Sequence, residues 1–189
     1  MKPSEPPKHP LLAPRQFRIR AGLRPGDFGS VVEMHGRVYA AEYDLDTTFE
    51  LYVAEPLIAF VHDLRQRGDA AGAIWIAEAR DSDCDVWRMA GSLALVDGDE
   101  TQDIIRWVVL SPDVRGRGLA QRLMATAIHV FLARGKSKLT LGTFSKLDAA
   151  IALYKRYGFV ETSRNAQRIW GQDLELVEME LPRDRALAV

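Results

Sequence analysis

The residues with the most chemistry in their spacing are Arg115-Gly116-Arg117-Gly118. They follow an apolar, β-branched run, Ile104 to Leu110, which is too short for a helix and reads as a buried strand. Ser111-Pro112-Asp113 breaks that strand, since proline donates nothing to a ladder and favours a turn. Beyond the glycines, Leu119, Leu123, Ala127 and Phe131 recur at helical spacing. Strand, glycine turn and helix N-terminus therefore form one unit. The first turn of a helix leaves N–H groups without partners, and the macrodipole places partial positive charge there. Gly116 and Gly118 remove side chains, Arg115 and Arg117 add charge, and the ligand this suits is a phosphate or pyrophosphate. An isolated Arg-Gly-Arg-Gly is equally well a solvated turn, so its context decides.

Other chemistry fails on spacing. A dinucleotide fingerprint requires glycine where Gln121 stands. Gly135-Lys136-Ser137 copies the end of a Walker A loop, but Val130 occupies the position of that motif's first glycine, and the element order is reversed. His9, His35, His62 and His129 are scattered without metal-ligand spacing, so no metal is expected. No serine or cysteine sits in a nucleophile elbow.

The elements that must position these groups follow a distinctive order. Gln16 to Ala21 alternates apolar and polar residues and predicts a first strand. Arg24-Pro25-Gly26-Asp27 is a turn with Asp27 as N-cap, leading to a helix over about Phe28 to Glu42 with Gly36 as a site for a bend. Asp46 or Thr47 caps a second helix to about Arg67, with Phe49, Val53, Leu57, Phe60 and Leu64 on one face and Pro56 predicting a kink. Strands follow over Ala73 to Ala79 and Val86 to Val96, separated by a turn at Asp81-Ser82-Asp83. Asp97-Gly98-Asp99 is a hairpin signal into the strand that begins near Gln102. The helix from Leu119 to about Arg134 stops at Gly135, and Leu139 to Thr143 makes another strand. Asp148 or Ser145 caps a short helix through Arg156, Gly158 ends it, and two strands close the chain, from Phe159 and from about Asp173 to Leu181. This is α+β, a mixed and mostly antiparallel sheet flanked by about four helices.

At 189 residues, 47% hydrophobic and 27% charged, the chain reads as one soluble domain with a proper core. A net charge of −1 leaves no electrostatic footprint for nucleic acid. No run is long enough to cross a bilayer, so no membrane partner is expected. A lone cysteine, Cys84, excludes an intramolecular disulfide framework and fits a cytoplasmic location. Met1 to Pro14 holds five of the nine prolines and lacks the apolar core of a signal peptide. Residues 1–15 are expected to be a flexible arm, 16–182 the domain and 183–189 a tail.

With these elements in place, the residues resemble the GNAT superfamily of acetyl-CoA-dependent N-acetyltransferases. Its pyrophosphate motif, R/Q-x-x-G-x-G/A, is filled by Arg115, Gly118 and Ala120. Ala150-Ile151-Ala152-Leu153-Tyr154-Lys155-Arg156-Tyr157-Gly158-Phe159 looks like the family's A-x-x-L-Y-x-x-x-G-F helix and following strand. A narrower likeness, in His35-Gly36-Arg37-Val38-Tyr39-Ala40-Ala41-Glu42-Tyr43 and Leu139-Thr140-Leu141-Gly142-Thr143, is to bacterial GNAT domains fused behind MarR-type regulators. The residues ahead of the first strand are too few for a winged helix, so the expectation is the enzyme-like half alone.

The resemblance implies a GNAT fold whose sheet is splayed at the central strand, and acetyl-CoA as cosubstrate. It implies that Val108, Val109 and Leu110 pair with the pantetheine arm like an added strand, and that the Val108 backbone N–H faces the thioester oxygen. The amides of Arg115, Gly116, Arg117, Gly118, Leu119, Ala120 and Gln121 would hold the pyrophosphate. Tyr154 would be the general acid for the departing thiolate, against the plain alternative of a helical core aromatic. Some relatives carry a catalytic glutamate where Ile104 stands; Asp103 faces the other way by alternation, and Glu42, Glu78 or a relayed water leave the base unassigned. Leu147 replaces an asparagine that many members use as a coenzyme contact.

Arg106 shares the face of Ile104 and Val108 in an otherwise apolar strand, where it needs a partner: a substrate carboxylate, or Glu78 or Glu100 at the sheet edge. The first helices usually wall the acceptor site in this family, which adds Tyr39 and Tyr43, though such an i, i+4 pair is more often core packing. The expected acceptor is a small-molecule amine such as an amino acid or acidic amine, used by direct transfer in a ternary complex. The alternative is a coenzyme-binding sensor without turnover. A homodimer is the family's expectation.

Overall fold

A computed structural model describes residues 16–81 and 85–186. The expected N-terminal arm, Cys84, most of the turn at 81–83 and the last residues of the tail lie outside them. A seven-stranded sheet runs in the order β1-β2-β3-β4-β5-β7-β6. The strands are β1 (Gln16–Ala21), β2 (Gly72–Arg80), β3 (Arg88–Asp97), β4 (Gln102–Leu110), β5 (Lys138–Phe144), β6 (Val160–Ile169) and β7 (Gln172–Pro182). All neighbours are antiparallel except β4 and β5. Between them lie α1 (Asp27–Tyr43), α2 (Thr48–Arg67), α3 (Leu119–Arg134) and α4 (Asp148–Arg156), with a last turn, α5, at Arg183–Ala186. This is the GNAT arrangement. No described helix is long and apolar enough to cross a membrane.

The helices make two layers around the sheet. α3 buries Leu123, Met124, Ala127 and Phe131 against Leu93, Leu95, Ile105 and Leu141 on one face. α1 and α2 bury Val31, Phe49, Val53, Leu57 and Phe60 against Ile74, Ile76, Ala94 and Trp107 on the other. Each fully buried side chain of this size contributes about 1.5–3 kcal/mol. α1 and α2 approach closely at Gly36, where a Cβ would fall 2.1 Å from Glu50 Oε1. α2 runs unbroken through Pro56.

Two capping expectations shift by a residue. Gly26, in the left-handed region at φ 96°, is the cap of α1, and Asp27 is its first helical residue. The Asp27 carboxylate is taken instead by Arg20, at 2.6 Å, which ties α1 to β1. Leu147 caps α4 without a side-chain bond, and Asp148 begins the helix.

The feature that creates the site is a bulge in β4. Ser92 pairs with Val109 and Ala94 with Arg106, so Leu93 faces both Trp107 and Val108. Trp107 has φ 51°, a hand that bulky residues avoid. It is held there by Nε1 donating to the Val53 carbonyl at 3.2 Å and by Ser92 Oγ donating to its own carbonyl at 2.7 Å. A bulge bends its strand and leaves main-chain groups out of the ladder. β4 and β5 accordingly pair only from Gln102–Lys138 to Ile105–Leu141, and then part.

The bulge also corrects the face assignment. Arg106 pairs with Ala94 and so points toward α1 and α2, as does Ile104. Val108 packs against the α3 cluster instead. Strict alternation placed all three together, and the extra residue at Trp107 breaks it. Asp103 does face the α3 side, where it is fully buried against Arg134 at 2.9 Å.

Candidate active site

The parting of β4 and β5 opens two cavities that meet end to end. The first, about 380 Å³, is floored by Val108 to Leu110 and closed by the turn at Arg115, Gly116 and Gly118, the start of α3, and α4. Val114, fully buried, anchors the turn against Ala79, Ala90 and Leu119. Gly116 and Gly118 have φ 73° and 76°, and a Cβ at either would meet nothing within 4 Å. Glycine is therefore required by backbone hand, and the space above it is open. The N–H groups of Gly116 to Gln121 have no hydrogen-bond partner among the described residues, and α3 has no side-chain cap. Such a row of donors at a helix start fits an anion.

Arg115 does more than add charge. Its guanidinium holds both oxygens of Glu42 on α1, at 2.8 and 3.0 Å, and reaches the Leu110 carbonyl at 3.2 Å. The side chain thus spans the cavity mouth and occupies Glu42, one of the carboxylates considered as base. Arg117 is exposed and does not line the cavity, so only its main chain belongs to the cradle. Tyr43, expected to share a site with Tyr39 and Arg106, lines this cavity one helical turn past Tyr39 and does not line the second one.

The second cavity, about 450 Å³, lies toward α1 and α2. His35, Tyr39, Tyr52 and Trp170 give it an aromatic wall; Arg106, Thr140, Gly142 and Glu178 give it a polar floor. Trp170, at the tip of the β6–β7 hairpin, packs on Phe49 and Tyr52 at 4.9 and 4.7 Å. Arg106 makes no ion pair among the described residues; its guanidinium lies 5.5 Å from the Trp107 ring centre. Glu78 is excluded both as its partner and as a base, because Arg18 and Arg20 hold it at 2.6 and 2.9 Å.

Tyr39, Val108, Leu147 and Tyr154 line both cavities. Tyr154 is 5% exposed, and its hydroxyl has no hydrogen-bond partner among the described residues. Burial raises its pKa well above the ordinary phenol value. Tyr39 is raised for the same reason first, and then by the neighbouring Tyr154 and Tyr43; its hydroxyl reaches the Val108 carbonyl at a long 3.5 Å. Both phenols stay protonated at neutral pH.

Sequence reasoning passed over two residues. His35, set aside for want of metal spacing, lines the second cavity, stacks on Tyr39 at 5.8 Å and donates its Nδ1–H to the Val31 carbonyl at 2.8 Å. Burial lowers its pKa to about 4, so it is a neutral wall group. Glu178 sits in a strand of alternating glutamates that reads as a solvated face, and only the register of β5 and β7 brings it to the cavity. It is exposed at the cavity rim, and partial desolvation there raises its pKa, with Arg106 opposing. Among the described residues no cluster of three or more His, Cys, Asp or Glu could hold a metal.

Known proteins share this architecture. The spermidine N-acetyltransferase of Vibrio cholerae, solved with CoA and spermine, superposes with a TM-score of 0.63 at 19% identity, covering 91% of this chain and 98% of that one. The Salmonella typhimurium protein yncA, solved with its cofactor acetyl-CoA, gives 0.64 at 18% identity over 89% and 94%. A mycothiol acetyltransferase from Acidothermus cellulolyticus is 31% identical over 137 residues, 68% of this chain. The chain spans 39% of that relative's length. Residues 32–159, from α1 to the residue before β6, match the acetyltransferase (GNAT) family, and the chain belongs to it.

Proposed function

We propose that the chain moves an acetyl group from acetyl-CoA to the primary amine of a small molecule, an amino acid or related acidic amine, by direct transfer in a ternary complex. The observation that carries this is the meeting of two unlike cavities at Val108, Tyr39 and Tyr154. One offers unpaired main-chain donors suited to a diphosphate; the other offers aromatic walls and an arginine without a carboxylate. Acetyl-CoA supplies an activated thioester. Val108 to Leu110 grip its pantetheine arm as an added strand would, and the amides from Gly116 to Gln121 hold the diphosphate. The Val108 N–H stabilises negative charge on the thioester oxygen.

Tyr154 gives its proton to the departing sulfur. Its raised pKa makes it a weaker acid than a phenol in water, but the same dry junction also raises the basicity of the thiolate. Transfer therefore stays matched. Arg106 holds the acceptor's carboxylate with two parallel N–H bonds. Ile104 keeps β4 without a carboxylate on this face, which favours one rival: a module that binds coenzyme A without turning over.

The test is release of free thiol from acetyl-CoA with a panel of acidic, neutral and polycationic amines. Release with acidic amines, slowed about 100-fold in Tyr154→Phe at unchanged coenzyme affinity, is expected. Coenzyme binding with no release for any amine supports the rival.

A further inference from the structure

We propose that Glu178 is the amine-side catalytic residue of the second cavity: its carboxylate receives the acceptor's ammonium and takes the proton that must leave it, opposite Arg106, which holds the acceptor's carboxylate. This rests on reading the cavity as an acetyltransferase acceptor site. It narrows the acceptor to a zwitterion, an amino acid whose apolar or aromatic remainder lies against the ring wall.

Register brings the two charges into one row. Arg106 is the first β4 residue beyond the last β4–β5 pair, and Gly142 is the first of β5. Glu178 pairs with Gly142 across β5 and β7. All three face α1 and α2, since Arg106 pairs with Ala94 of that core and Leu176, two residues before Glu178, packs on it. A Cβ on Gly142 would come within 3.3 Å of Glu178 Oε1. The carboxylate therefore lies over β5, toward the parted strands, and the glycine leaves it room. Arg106 and Glu178 form no ion pair with each other among the described residues, although each lines the cavity and Arg106 acts electrostatically on Glu178. Two opposite charges that face one space without neutralising each other suit a ligand carrying both.

Elimination points the same way. Glu180, next on this face of β7, is taken by Lys138 at 2.8 Å, and Glu175 by Arg164 at 2.9 Å. His35 at about 4 is too weak a base, and Tyr39 and Tyr154 are protonated. Glu178 is an exposed residue at the cavity rim, and its partial desolvation there raises its pKa while Arg106 opposes. In the reaction one ammonium proton passes to Glu178, the nitrogen attacks the thioester carbon, the C–N bond forms and the C–S bond breaks. Sulfur takes the Tyr154 proton, and the nitrogen's second proton restores Tyr154. Glu178 releases its proton to water, so the amide keeps one N–H and one proton is produced per turnover.

The probes are L-phenylalanine, L-leucine, L-methionine, the aminooxy analogue of phenylalanine, phenethylamine and spermidine, each with acetyl-CoA. The aminooxy nitrogen is unprotonated at neutral pH and needs no base. Wild type is expected to prefer the amino acids to phenethylamine and spermidine by about 100-fold. Glu178→Gln should lose about 100-fold in kcat/KM for the best amino acid and less than about 10-fold for the aminooxy acid, at unchanged coenzyme A affinity. Gly142→Ala, which crowds the carboxylate at 3.3 Å, should show the same split in smaller measure. Equal losses on both substrates, no loss on either, or a wild type that acetylates only the carboxylate-free amines would each overturn the assignment while leaving acetyl transfer intact. A wild type that binds coenzyme A and acetylates nothing refutes the acetyltransfer reading itself.

Discussion

Burial acts on Tyr154 and His35 through one mechanism with opposite signs. Each is kept in its neutral form, the phenol by a raised pKa and the imidazole by a lowered one. For His35 this has a consequence for stability. The unfolded imidazole binds a proton near ~6.5, whereas the folded one resists until about 4. Between those values the unfolded state holds more protons, so stability rises with pH across the window and is lost as pH falls through it. The total is on the order of 3 kcal/mol. Urea unfolding of the wild type should show this slope, and His35→Gln should lack it; an unchanged slope would show that His35 titrates freely. Tyr154 was legible from its sequence motif, but His35 and Glu178 were not. Neither has a local pattern, and they line one cavity only because helix packing and strand register bring them there.

At the scale of elements, β4 departs from its own periodicity. Its apolar run identified it as the central strand, and its ends fall where the pattern placed them, at Gln102 and Leu110. The bulge at Trp107 had no sequence signal, because nothing marks a tryptophan as willing to adopt φ 51°. Its support is tertiary: the Val53 carbonyl, the Ser92 hydroxyl and the Phe60 ring at 5.4 Å. Gly91 on β3 completes the arrangement. A Cβ there would fall 2.4 Å from the Val109 carbonyl oxygen, on main chain that cannot swing aside. Gly91→Ala should push the end of β4 outward, cost about 1–3 kcal/mol, and weaken coenzyme A binding about 10-fold. Thermal melting and calorimetric titration read the two effects; lost stability with unchanged affinity would uncouple the bulged strand from the coenzyme seat.

Over the whole molecule, the sheet is closed at one end and open at the other. At the closed end Arg134 binds Asp103 at 2.9 Å and Asp97 at 3.0 Å and reaches the Asp69 carbonyl, while Lys136 and Arg67 also hold Asp97. This network clamps α3 to β3 and β4 where the central strands are still paired. Arg134→Ala would leave Asp103, fully buried, without its cation, at a cost of about 3–5 kcal/mol in denaturant unfolding. Burial already raises the Asp103 pKa while Arg134 opposes; without Arg134 only Lys136 still opposes, so the rise grows and the folded variant takes up a proton more readily than the wild type. The cost should therefore shrink as pH is lowered from neutral; a constant cost would mean that the charge is solvated. The layer order and sheet class were legible in the sequence, because alternation and helical periodicity report burial directly. The meeting of the cavities was not, since it depends on where two parallel strands separate.

Hydrogen exchange with and without coenzyme A tests the central claim most directly. The amides of Gly116 to Gln121, together with those of Val108 to Leu110, should gain protection when the coenzyme binds, while β6 and β7 stay unchanged. Binding that protects other amides and leaves the 116–121 row exchanging freely would contradict the account, as would a well-folded protein that binds no coenzyme A at all.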